Sequence, residues 1–172
     1  MSKKQSILLA AYRIVETKNI QELTLDEVAK QAGVSKGGLL YHFPSKEALL
    51  KGMIGGVTEG WEELLEHKKE DLSFAMRYYL ASFKATDDPN FASLNTTMVA
   101  ARTYQSDLLQ PLQRKFKEWH TELESEVGEE ALLIRLICNG LWFSDLFGLE
   151  PITETQKQQL TKIVKKMTEN KM

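Results

Sequence analysis

TLDEVAKQAGVSKGGLLYHFPSKEALL, residues 24–50, decides how this chain folds. Thr24 followed three residues later by Glu27 has the spacing of a capping box. Leu25, Val28, Ala29 and Ala32 then recur at helical intervals, so a helix is predicted over 25–31. Gly33 turns the chain, because glycine takes a positive φ at no steric cost, and Val34 is placed to plug the corner. Ser35 caps a second helix, 36–42. In it Leu39 and Phe43 share one side and Gly37, Gly38 and Tyr41 the other, with Lys36, Leu40 and His42 between. Pro44 stops that helix by lacking an N–H and by pushing its predecessor out of helical geometry, and Ser45 caps the next one, with Glu47 in its first turn.

A corner of this kind opening onto a third helix is a helix-turn-helix, and its free face suits nucleic acid. Lys36, His42 and Lys46 can meet phosphates, Gly37 and Gly38 let backbone approach a groove closely, and Tyr41 can reach a phosphate or a base edge. Leu40 either packs or meets a thymine methyl; packing is the expected role, because apolar contacts are the rarer kind of base readout. The competing reading of the pattern alone is a compact three-helix core with solvated lysines.

Gly33 to Leu49, GVSKGGLLYHFPSKEAL, resembles the DNA-binding region of the TetR family of bacterial repressors, whose members commonly carry a close relative of GVSKGTLYYHFPSKEAL. Outside the head, the chain resembles that family only in length, helical pattern and order of parts. The resemblance implies an all-helical homodimer with an N-terminal DNA-reading domain and a C-terminal ligand-binding and dimerising domain. By its pattern the DNA contacts fall on Thr24, Lys36, Gly37, Tyr41, His42 and Lys46. Gly38 stands where the family often has Thr, and Leu40 where it often has Tyr, so the operator does not carry over from better-known relatives.

Composition agrees. The chain has 172 residues, 42% of them hydrophobic, enough for one core and a small N-terminal unit. Its net charge of −2 is unevenly spread: residues 1–51 carry +3 and residues 52–172 carry −5, a basic head on an acidic body. The one cysteine, Cys138, lies in the apolar run ALLIRLICNGLWF, so no intrachain disulfide is possible and a buried thiol in a reducing cytoplasm is expected. MSKKQSILLAAYRIVE keeps helical spacing and is interrupted by Arg13 and Glu16, which makes it a first helix rather than a signal peptide. No apolar segment reaches the roughly 20 residues needed to span a bilayer, so no membrane partner is expected.

Further helices are predicted near 5–17, 46–67, 72–86, 89–104, 110–126, 129–147 and 153–169. Asp88 caps one that begins at Pro89, Pro111 falls early in another, Gly128 and Gly148 mark ends, and Thr153 with Gln156 forms a second capping box. The expected fold is all-α with about nine helices. A three-helix helix-turn-helix domain over 1–46 precedes a helical ligand-binding and dimerisation domain over 47–172. Within helix 46–67, Gly52, Gly56 and Gly60 recur on one side. They mark either a groove for close helix packing or a pliant joint between head and body.

Trp61, Phe74, Tyr78, Phe83, Phe116 and Phe143 are expected mostly in the core. Met98, Tyr104, Trp119 and Trp142 are the candidates for lining a pocket, if the helices enclose a central cavity. Asn139 and Asp145 are polar residues in an apolar helix and need partners if buried; Asp145 can face a cationic ligand or serve as a cap or dimer contact. Residues 131–147, apolar on nearly every side, and the stripe Leu160, Ile163, Val164 and Met167 have the composition of a four-helix dimer interface. His42, His67 and His120 are far apart in sequence, no zinc-protease motif or phosphate-binding glycine loop occurs, and the paired acids Asp87–Asp88 and Glu129–Glu130 diverge. No enzyme activity, metal or cofactor is expected. The reading is a repressor that a small molecule, apolar or cationic, releases from a palindromic operator. Two alternatives stand beside it: a small-molecule-binding helical dimer whose helix-turn-helix is scaffold, and a DNA-binding protein without an effector.

Overall fold

The computed structural model describes residues 1–18, 20–66, 72–87 and 89–169, with the side chains of 85–95 and 106 left aside. Among the described residues there are nine α-helices and no strand: α1 Lys3–Thr17, α2 Leu25–Ala32, α3 Lys36–His42, α4 Lys46–Glu66, α5 Phe74–Asp87, α6 Pro89–Tyr104, α7 Gln110–Val127, α8 Glu130–Leu146 and α9 Glu154–Glu169. A short 3₁₀ turn, Ser106–Leu109, precedes α7. His67 and the Asp88 cap lie outside the described residues.

Local chemistry sets most of these boundaries. Gly33, Gly128 and Gly148 are the positive-φ residues among those described, and each follows a helix. Thr153 and Gln156 complete a reciprocal box at the start of α9: the Gln156 N–H donates to Thr153 Oγ1, and the Thr153 N–H donates to Gln156 Oε1. The box at α2 is only half made. Thr24 Oγ1 accepts from the Glu27 N–H, but the Glu27 carboxylate turns to Lys18 at 2.9 Å instead of reaching back. The full box unforeseen in the sequence is at α1, between Ser2 and Gln5.

The described residues gather into two compact units, neither continuous in sequence. The first takes residues 1–59 and 89–113, the second residues 60–88 and 114–172. The boundary drawn after residue 46 thus falls inside the first unit, which also takes in α6. There α6 packs on α1, and the core is built from Ile7, Ile14, Leu23, Val28, Leu39 and Met53. In the second unit α5 packs on α8 and α9 around Tyr78, Tyr79, Leu123, Ile134 and Val164. Glu126 of α7 holds the start of α5, its two carboxylate oxygens accepting from the Phe74 and Ala75 N–H groups at 2.9 and 2.6 Å, where a helix N-terminus favours negative charge.

Two of the α4 glycines serve close packing within the first unit. A Cβ on Gly52 would come within 2.5 Å of the Phe43 ring, and one on Gly56 would strike the Tyr12 hydroxyl. That hydroxyl donates to the Met53 carbonyl at 2.7 Å, which pins α1 to α4.

Candidate nucleic-acid interface

The turn before α3 is built by backbone bonding. Gly33 adopts φ 65°, its N–H and that of Val34 return to the end of α2, and Val34 is half-buried in the corner. Ser35 Oγ accepts from the Gly38 N–H at 3.1 Å and starts α3; Phe43 ends it, and Ser45 Oγ accepts from the Ala48 N–H to start α4. Leu39 and Phe43, 0% and 3% exposed, anchor α3 from within. The opposite side is open: Tyr41 is 85% exposed, its ring edge-on to His42 at 5.1 Å, and a Cβ on Gly37 would meet nothing within 4 Å. At Gly38 a Cβ would crowd the Ser35 hydroxyl at 3.2 Å, so with a larger residue there the cap must give by a few tenths of an ångström.

The cations behave differently from one another. Lys36 pairs with Asp26 of α2 at 2.9 Å, but both side chains are well exposed, so the pair is worth at most about 1 kcal/mol and opens easily toward a phosphate. Lys46 is held: its Nζ donates to the Ile20 carbonyl at 3.1 Å and lies 5.3 Å from the centre of the Tyr104 ring, and partial burial lowers its pKa. That bond uses one of the three ammonium donors, so Lys46 is steadied within the head and not withdrawn from a phosphate by it. Thr24 is exposed, and its hydroxyl oxygen accepts the capping bond of α2, which leaves its O–H able to donate. Leu40, expected to pack, is 37% exposed on α3. Its neighbours explain this, because Leu39 and Phe43 already fill the inner side.

The five residues expected at a ligand pocket are not drawn from one unit. Met98 and Tyr104 belong to the first, and Trp119, Trp142 and Asp145 to the second. Tyr104 is about half exposed over Lys46. Trp119 is buried in an aromatic group with Trp61, Phe116 and Tyr78, in which Trp61 lies 6.3 Å from Trp119 and 6.4 Å from Tyr78. Asp145 is exposed and borders a recess of about 210 Å³ between α5 and α8 that also touches Phe83, Ser144 and Lys157; Asn139 is exposed as well. Exposure removes the demand for a buried partner that the sequence placed on both. Cys138 is buried, and burial pushes its thiol up to about 11, so it stays protonated and unreactive near neutral pH.

One histidine in the second unit carries a pH effect that the sequence did not signal. The His120 ring meets the Tyr78 hydroxyl at 3.1 Å, and burial, with Arg135 adding to it and Glu124 opposing, lowers the His120 pKa below its ordinary 6.5. The folded unit therefore favours the neutral ring. That stabilisation is full above pH 6.5 and is lost as pH falls through the lowered value. Thermal unfolding followed from pH 7.5 to 5 should show stability declining with acid, and His120→Gln should flatten the decline. An unchanged slope in the variant refutes the assignment.

Among the described residues no helix is long and apolar enough to cross a membrane, and no group of His, Cys, Asp and Glu is placed to hold a metal.

Two family profiles match the chain: one described as bacterial regulatory proteins, tetR family, over residues 7–53, and one described as tetracyclin repressor-like, C-terminal domain, over residues 73–169. The chain is 34% identical over 79 residues to the HTH-type transcriptional regulator EthR of Mycolicibacterium smegmatis, covering 44% of this chain and 36% of that protein. It is 38% identical over 72 residues to the regulator RutR of Escherichia coli, covering 42% and 34%. The matched stretch is thus about a third of the length of these curated relatives. Among solved structures, the multidrug binding protein EbrR in complex with malachite green superposes with a TM-score of 0.74 over 98% of this chain and 99% of that one, at 18% identity, a likeness of fold.

Proposed function

The chain belongs to the TetR family of bacterial regulatory proteins, and on that premise we propose that it is a transcriptional repressor. Two copies seat their α3 helices on a palindromic operator in the cytoplasm, and a small molecule bound by the C-terminal helices releases them. The observation that carries this reading is α3 itself, whose open side, Tyr41 with Gly37, is aimed away from a core locked by Leu39 and Phe43. A twofold dimer supplies two such helices to half-sites one helical turn apart, about 34–36 Å along the duplex. Phosphates fall to Lys36 and His42, and bases to Tyr41. Lys46 acts by positioning the start of α4 through Ile20.

The inducer is an apolar or cationic compound, for which the second unit offers the recess bordered by Asp145 and Phe83; the multidrug binding protein complexed with malachite green supports that class. A differential affinity of about 1–3 kcal/mol between DNA-competent and released states is enough for a switch.

Selection of binding duplexes from a random pool, followed by salt titration, tests the proposal. Phosphate-driven binding should weaken steeply with salt, and Lys36→Ala should weaken all sequences alike and reduce the slope by about one for each head engaged. Tyr41→Ala should change the preferred sequence. Malachite green should then release the selected duplex. Recovery of no duplex at low salt would decide for a helix-turn-helix that serves only as scaffold.

A further inference from the structure

Resting on the reading of α3 as the DNA-reading helix, we infer that Leu40 is a specificity-determining residue that recognises the C5 methyl group of a thymine in each half-site. Leu39 and Phe43 fix how α3 is rotated, since both are buried in the head. At 3.6 residues per turn, Leu40 then stands about a quarter-turn from that inner side, next to Tyr41, which points directly outward. More than a third of Leu40 remains exposed, although leucine has no use for water.

The surroundings of Leu40 favour close approach. Side chains on a helix lean toward its N-terminus, so Leu40 lies over the turn that holds Lys36 and Gly37. Gly37 contributes no side chain there, and a Cβ built on it meets nothing within 4 Å. Lys36 is drawn toward Asp26 of α2 at 2.9 Å. On the Gly37 side the ground beside Leu40 is therefore bare backbone, and its methyl groups are an exposed apolar point on that flank of α3.

Base edges in the major groove present ring nitrogens, carbonyl oxygens and amino groups, and a single apolar feature, the thymine methyl. Leucine offers neither donor nor acceptor. Set against a polar edge, it strips water without replacing the hydrogen bond, which is unfavourable; set against the methyl, both groups lose apolar surface to each other. Leu40 thus favours thymine and disfavours the amino group of a cytosine at the same position.

Replacing thymine by uracil deletes that methyl and keeps the base pairing, so it isolates the contact. In the duplex selected by the full-length protein, each thymine is exchanged for uracil in turn. One position per half-site is expected to weaken binding about fourfold, the worth of one buried methyl-sized group. Leu40→Ala should bind the thymine and uracil duplexes at that position equally, with unchanged affinity for unrelated DNA and unchanged helical content. If the variant keeps the full thymine-to-uracil ratio, or if no position responds in the unmodified protein, the inference is overturned while DNA reading by α3 stands. If the unmodified protein selects no duplex, the underlying reading fails and the inference with it.

Discussion

Leu136→Glu is expected to give a folded monomer that no longer holds an operator. Helix α8 turns Ala131, Ile134 and Cys138 inward, yet leaves Leu132, Leu133, Leu136 and Phe143 about half exposed or more, with Phe147 and Leu149 exposed just beyond its end and Ile163 on α9. Soluble monomers rarely leave so many large apolar side chains open on one element, and a second copy is the partner that the family implies. Leu136 is 55% exposed, so glutamate there costs the monomer little. Buried in a dimer interface without a compensating charge, a carboxylate costs roughly 3–5 kcal/mol. Association should weaken by roughly two to three and a half orders of magnitude, about tenfold for every 1.4 kcal/mol. Operator affinity should fall with it, because each half-site must then bind alone. Sedimentation equilibrium and gel-shift titration read the two quantities, and circular dichroism checks the fold. A variant that stays dimeric and keeps operator affinity would remove α8 from the interface.

The second large effect is expected at Phe43 and Gly52. The Phe43 ring is 3% exposed and fills the notch left by the missing side chain at Gly52. Phe43→Ala should cost about 3–5 kcal/mol, because it empties a packed site. Gly52→Ala forces a methyl to 2.5 Å from Phe43 Cε1. Overpacking of about 1–3 kcal/mol should then outweigh the gain in helix propensity of about 1 kcal/mol. The two changes are coupled in sign. In a Phe43→Leu background, where the ring is gone, Gly52→Ala should become neutral or stabilising. Denaturant titration of all four proteins measures the cycle; additive effects would mean that the notch and the ring do not constrain each other.

Elements governed by near neighbours in sequence were legible. Ser35, Ser45 and Thr153 cap helices three residues away, and Gly33, Gly128 and Gly148 end them, so helix limits followed from short-range chemistry. Features depending on distant partners were not. Nothing near Phe74 announces that a carboxylate 52 residues on will cap α5, nor does Lys46 disclose that Ile20 will take its ammonium. The stripe at Gly52 and Gly56 left a packing groove and a pliant joint both open, and did not disclose that Phe43 and Tyr12 would close on it. The open side of α3 was readable because the helix has one anchored and one bare side within seven residues. Pocket residues were not, because a tryptophan at helical spacing serves core and ligand site alike, and Trp119 is in fact packed among Trp61, Phe116 and Tyr78.

Cys138 gives the chain a built-in chemical clock. As the sole sulfhydryl in the polypeptide, shielded at the heart of α8 and kept in its unreactive acid form, it meets an alkylating reagent only when the surrounding helices part. The speed of its modification therefore times the opening of the helices packed around it.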